Sequence, residues 1–199
     1  MNAGGGPSEG PAFDRLGAWL SGRRLRRHLP ALAGKRVGVL GCGYQATWAR
    51  RLLDQVASAV LVDVALADDL RQHPRVQAIE GRLPDALSAL PAGCLDLAVI
   101  ASGLEDLADP QPLLSEARRL LAPGGVAVIS VCSPRARRPL ELAAFRLRLT
   151  PAARLTDPRR YYDVSDLSPL LERVGFRPDR VRCFSQALGL ITLAVCQAD

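Results

Sequence analysis

The residues with the clearest chemical promise lie in Val37-Gly38-Val39-Leu40-Gly41-Cys42-Gly43-Tyr44-Gln45-Ala46, where an apolar run ends in a glycine turn, and at Asp63, twenty residues beyond Gly43. Glycines at such a turn let the backbone approach a ligand closely, and the start of a following helix offers unpaired amide donors. An acid closing the next strand is placed to accept hydrogen bonds from ribose hydroxyls. The spacing therefore points to a nucleoside cofactor. Gly41 to Ala46 also fits the GxGxxA form of dinucleotide enzymes, so on these residues alone an NAD-dependent oxidoreductase stays open. Other chemistries find little support. His28 and His73 have no partner pattern for a serine–histidine or metal constellation. Cys42, Cys94, Cys132, Cys183 and Cys196 are odd in number and contain no CxxC pair, which reads as reduced thiols and no metal site.

The elements that must hold these residues follow from periodicity. After Gly34 short apolar runs alternate with helical segments, the sign of a parallel sheet wound by crossover helices. Strands are expected at Arg36–Leu40, Ala59–Val62, Val76–Ile79, Leu95–Ala101 and Val126–Val131. A helix with the buried stripe Ala49, Leu52, Leu53 and Val56 should follow the first strand. Another should run from Pro110 to Leu121, with Asp109 as N-cap and Pro123-Gly124-Gly125 beyond its end. Further helices are expected at Leu140–Leu149 and Ser165–Val174, the latter stopped by Gly175. The runs Arg180–Phe184 and Leu190–Cys196, joined by a short turn, read as a closing antiparallel hairpin.

Composition sets the outer bounds. The chain has 199 residues, 48% hydrophobic and 23% charged, which suits one globular domain. Residues 1–11 have nothing to bury and read as a disordered tail; 13–29 read as an amphipathic helix in which Phe13, Leu16, Trp19 and Leu20 oppose Arg23, Arg24, Arg26 and Arg27. Apolar runs stop short of the roughly 18 residues a membrane helix needs, so the expectation is a cytoplasmic protein. The net charge of +6 is carried almost wholly by arginine, Lys35 being the only lysine. That bias is the mark of a GC-rich genome as much as of an anionic partner, and no nucleic acid is expected.

The segment Leu95–Val131 carries a resemblance that decides between cofactors. Asp96 near the start of an apolar strand, Leu104-Glu105-Asp106-Leu107 and Leu121-Ala122-Pro123-Gly124-Gly125 resemble the strand, "LEHL"-like turn and "L-x-PGG" loop of class I S-adenosylmethionine-dependent methyltransferases. Arg160-Tyr161-Tyr162-Asp163 and Leu170-Leu171-Glu172-Arg173-Val174-Gly175-Phe176 are similar to the ending of bacterial methyltransferase-domain proteins of type 11. The resemblance implies an α/β, Rossmann-like, doubly wound fold: a mostly parallel seven-stranded sheet with an antiparallel C-terminal hairpin strand, in a single domain over 12–199.

It also implies roles. Gly41, Cys42 and Gly43 would lie against the methionine part of S-adenosyl-L-methionine, and Asp63 would hold the ribose. Gly81, Arg82 and Leu83 would flank the adenine, and Ala101 and Ser102 would face the cofactor. Methyl transfer from a sulfonium is an in-line displacement that relies on positioning and desolvation, so no obligatory catalytic residue follows. Candidates for orienting the acceptor or taking its proton are Glu105 and Asp106 near the mouth, and Tyr161 and Tyr162 in the substrate wall. The acceptor would be a small molecule or a glycan- or lipid-linked group, with peripheral membrane contact open. Three positions depart from the family pattern: Val39 in place of an acid, Gln45 in place of a third glycine, and Asp106 in place of the "LEHL" histidine. If Gln45 needs a positive φ, its side chain costs about 1 kcal/mol. The departures leave room for a scaffold or regulatory protein with impaired cofactor binding.

Overall fold

The computed structural model describes residues 28–101, 103–138 and 160–199. The expected tail, nearly all of the leading helix, Leu140–Leu149 and Ser102 lie outside the described residues. In chain order the elements are β1 (Arg36–Leu40), α1 (Thr47–Arg50), β2 (Ser58–Asp63), α2 (Asp68–Arg71), β3 (Val76–Glu80), β4 (Leu95–Ile100), α3 (Gln111–Leu120), β5 (Leu121–Cys132), α4 (Val164–Arg173), β6 (Val181–Gln186) and β7 (Ile191–Gln197).

The strands form one seven-stranded sheet in the order β3-β2-β1-β4-β5-β7-β6. β1 to β5 are parallel, and β7 pairs antiparallel with both β5 and β6. The chain winds outward from β1 to β3, then returns to β4 beside β1 and proceeds the other way. The strand order thus reverses between β1 and β4, the switch point at which open α/β sheets hold ligands in a crevice beyond the strands' carboxyl ends.

Alternate side chains of each strand feed two apolar layers. Leu40, Val62, Ile100 and Ile129 pack with Leu113, Leu114 and Ala117 of α3 and Leu167 and Leu171 of α4. Val37, Val39, Leu61, Val99 and Val128 pack with Ala49, Leu52, Leu53 and Val56. Gly38 lies where β1 meets the first layer: a Cβ there would come 2.4 Å from Leu95 Cδ1, so no larger residue fits without moving Leu95.

Some local expectations are revised. Only Thr47–Arg50 is α-helical after β1; the chain continues through i to i+3 bonds such as Leu52 N–H to Ala49 C=O (2.8 Å) and Gln55 N–H to Leu52 C=O (2.8 Å). The stripe 49, 52, 53, 56 is buried as expected, so burial rather than an α-ladder holds the segment. Asp109 does accept from the amide of Gln111 (3.0 Å), although Pro110 is already helical in its dihedrals. The fifth strand begins at Leu121, with Ala122–Gly125 absorbed as a register shift against β4. A reciprocal capping box at Asp163 and Asp166 (3.1 Å each way) starts α4 one residue early.

Candidate functional site

The glycine turn, Asp63 and the loops after β3, β4 and β5 all fall on the carboxyl edge of the parallel strands. Gly41 and Gly43 adopt φ of 74° and 77°, which glycine reaches freely. The turn is fastened to β2: Gly41 N–H donates to Val62 C=O (2.8 Å), and Gly43 N–H donates to Asp63 Oδ2 (2.7 Å). Asp63 Oδ1 accepts from the amide of Val64 (2.8 Å). The expected pair of turn and acid therefore meets directly, with the carboxylate organising the turn. A carboxylate accepts about four hydrogen bonds, so two backbone donors leave it capacity for hydroxyls. Gly43 is exposed, and nothing lies within 4 Å of where its Cβ would stand, so open space adjoins the acid.

The strain expected at Gln45 is absent there. Ala46 has the positive φ (42°), because the chain must turn at that residue to start α1, where its side chain is buried. Gln45 is exposed, and its carbonyl accepts from Arg50 Nε (2.7 Å); Arg50 in turn pairs with Asp69, tying the turn to α2. Val39, in place of the family's acid, is a core residue of β1 at 2% exposure. Cys42 is half-buried, and burial beside the Asp63 charge pushes its thiol up to about 12, so it stays neutral and unreactive.

Gly81 follows β3 with its N–H on Asp63 C=O (2.9 Å), and a Cβ there would press on Ala86 Cβ at 2.9 Å. Arg82 beside it is exposed and Leu83 half-buried. Ala101, just beyond β4, is half-buried against the second layer. Val64 and Tyr44, which the sequence did not single out, are exposed apolar side chains at 68% and 36%, flanking the Asp63–Gly43 contact. An apolar residue directly after the acid that closes a strand was the available signal.

Glu105 and Asp106 part company. Glu105 is 8% exposed, with Oε1 accepting from the amide of Cys132 (2.7 Å) and Oε2 from the amide of Gly103 (3.1 Å). Burial raises its carboxyl above the ordinary range. It clamps the loop after β4 to the end of β5. Asp106 is exposed, its amide on Gly103 C=O (3.3 Å). The chain re-enters across this clamp: Arg160 N–H donates to Glu105 C=O (3.0 Å) and Tyr162 N–H to Cys132 C=O (3.1 Å). Tyr161 is half-buried, whereas Tyr162 is 6% exposed with its hydroxyl buried and no partner at hydrogen-bonding geometry. Burial raises that phenol, against the opposing effect of Arg160.

The amino edge holds different features. Asp96 pairs with Arg36 there, accepting from its amide and its Nη2 (2.8 Å each). A shallow groove of about 430 Å³ lined by Leu29, Pro30, Leu32, Ala33, Asp54 and Gln55 lies at that edge too, away from the crevice. Among the described residues no group of three His, Cys, Asp or Glu side chains is placed to hold a metal ion, and no helix is long and apolar enough to cross a membrane.

The fold is that of a doubly wound α/β protein whose glycine turn and Asp63 meet at its switch point. The chain belongs to the methyltransferase-domain family, whose model matches residues 20–181, and its cofactor is S-adenosylmethionine. No curated protein matches it. Among solved structures it is similar to an Archaeoglobus fulgidus SAM-dependent methyltransferase (16% identity, 94% of this chain and 99% of that one, TM-score 0.67). It is also similar to Burkholderia thailandensis 1,6-didemethyltoxoflavin-N1-methyltransferase, solved with 1,6-didemethyltoxoflavin and S-adenosylhomocysteine (17%, 94% and 80%, TM-score 0.66). With the CurJ carbon methyltransferase it shares 18% identity over 86% of this chain, spanning half of that chain's length (TM-score 0.62).

Proposed function

We propose that the protein is an active S-adenosylmethionine-dependent methyltransferase whose donor lies across the β1–β4 switch point. The observation that carries this is the Asp63–Gly43 contact: a carboxylate with unused acceptor capacity, held by the glycine turn and opening on free space. Asp63 would receive the ribose hydroxyls, and Gly41, Cys42 and Gly43 would lie along the methionine part. Gly81, Arg82 and Leu83 would border the adenine together with Val64, whose exposed side chain offers an apolar surface for a flat base. Ala101, with Ser102 beyond it, would face the donor from β4.

When bound, S-adenosylmethionine supplies an electrophilic methyl group whose departure leaves a neutral thioether. The chain's part is to align an acceptor in line with that methyl and to exclude water. Glu105 holds the two loops that frame the acceptor side, acting through backbone rather than as the base. Asp106, exposed at the same mouth, would receive an acceptor proton, and half-buried Tyr161 would line the wall, with Tyr162 packed in the core behind it. The acceptor belongs to the small-molecule or the glycan- or lipid-linked class.

Calorimetric titration with S-adenosylhomocysteine tests this reading, with NADH as the control ligand. Saturable binding of the first alone is the expected result. Binding of neither would favour a methyltransferase-like scaffold, a reading to which the engagement of both Asp63 oxygens by backbone amides lends its one support.

A further inference from the structure

Leu188 is the most exposed large apolar side chain among the described residues, at 98%. It occupies the turn between β6 and β7. Because β7 runs antiparallel to β5, with Ile191 opposite Cys132, that turn stands at the carboxyl edge of the parallel strands, the edge that bears the donor crevice. Gly189 N–H closes the turn on Gln186 C=O (3.0 Å), and the two central residues, Ala187 and Leu188, have φ of 55° and 59°. Such positions ordinarily take glycine, asparagine or aspartate. A leucine there is strained, and its own packing does not compensate. The turn keeps an apolar residue where neither conformation nor burial favours one, which directs attention to what the residue meets outside the fold.

The turn is also rigidly mounted beside positive charge. Ser133 N–H donates to Leu190 C=O (3.0 Å), and its hydroxyl donates to Gly189 C=O. The Arg135 side chain lies over Gly189, where a Cβ would come within 2.8 Å of Nη1 and 3.0 Å of Cδ. An apolar tip and a guanidinium are thus held side by side, and Arg138 is exposed on the same loop.

We propose that the β6–β7 turn and the loop Ser133–Arg138 form a docking surface for an anionic phospholipid bilayer. Leu188 enters the boundary between headgroups and acyl chains, while Arg135 and Arg138 meet lipid phosphates. One leucine and a few arginines give a modest, reversible and salt-sensitive attachment. Docking in this way turns the carboxyl edge, and so the crevice mouth, toward the membrane. The surface does not depend on the donor reading and is measured without it.

The test is co-sedimentation of the full chain with phosphatidylcholine vesicles, with and without phosphatidylglycerol. The chain is expected on the anionic vesicles only, and to be released as salt is raised. Arg135→Glu with Arg138→Glu weakens binding by about 25-fold or more, at about fivefold per arginine lost. Leu188→Asn weakens it by about tenfold through the lost apolar contact, while the thermal midpoint holds or rises because asparagine tolerates the positive φ. That opposition separates docking from a structural role. Absence of binding to phosphatidylglycerol vesicles, or binding that Leu188→Asn leaves unchanged, overturns the proposal. Titration of the same variants with S-adenosylhomocysteine reports the donor site separately.

Discussion

Replacing Asp63 by asparagine puts the donor site to its sharpest test, because the side chain keeps its shape and loses only charge and one acceptor. In the native turn Oδ2 accepts from Gly43 and Oδ1 from Val64, at 2.7 and 2.8 Å. Asparagine satisfies one of these amides and presents an NH2 group to the other. Hydrogen bonds to charged groups contribute about 1.5–3 kcal/mol each, so the turn loses roughly that much stability. Donor binding loses the charged acceptor for ribose hydroxyls as well, an effect of similar size that corresponds to about ten- to 150-fold in affinity. Calorimetric titration with S-adenosylhomocysteine reads the second effect, and urea unfolding reads the first. Asp63→Ala removes both acceptors and should exceed the asparagine variant in each assay. If both variants unfold at lower urea yet bind S-adenosylhomocysteine as tightly as the native chain, Asp63 serves the turn alone and the assignment of the ribose to it is wrong.

Gly38→Ala should destabilise the fold by about 1–3 kcal/mol, as overpacking does, because its Cβ would stand 2.4 Å from Leu95 Cδ1; shortening Leu95 to valine in the same chain should recover part of the loss in urea midpoint. Gln45→Gly should leave S-adenosylhomocysteine affinity unchanged and cost about 0.5–1 kcal/mol of stability, since glycine adds unfolded-state entropy where no positive φ needs relief; tighter binding would show the Gln45 side chain intruding on the donor. Glu105→Gln should change the pH dependence of stability. The raised folded-state pKa means the ionised carboxyl is penalised by the fold, so native stability falls as pH rises from the ordinary glutamate range toward that raised value. The neutral amide lacks this slope, and parallel urea-midpoint profiles for the two proteins would contradict it.

The wound sheet, its strand positions and the spacing of the glycine turn and Asp63 were legible in the chain's residue pattern. Each of these is local: short apolar runs, glycines between a strand and a helix, and an acid closing the next strand are readable because they answer to backbone geometry within a few residues. The methyltransferase motifs from Asp96 to Gly125 were legible for the same reason, as contiguous strings. What the side chains do there was not, for Asp96 turns out to brace Arg36 at the amino edge.

The remaining contacts arise from long-range packing. Glu105 reads in sequence as an acid at a mouth, but its two partners are backbone amides, one at Cys132, twenty-seven residues away, that arrive only when β5 lies beside β4. Strain fell on Ala46 rather than Gln45 because burial of Ala46 under the first crossover fixed where the chain had to turn. The Leu188 turn reaches the carboxyl edge of the parallel strands only because β7 inserts between β5 and β6. Long-range pairing chooses neighbours by the fit of whole faces, and no spacing along the chain records that choice.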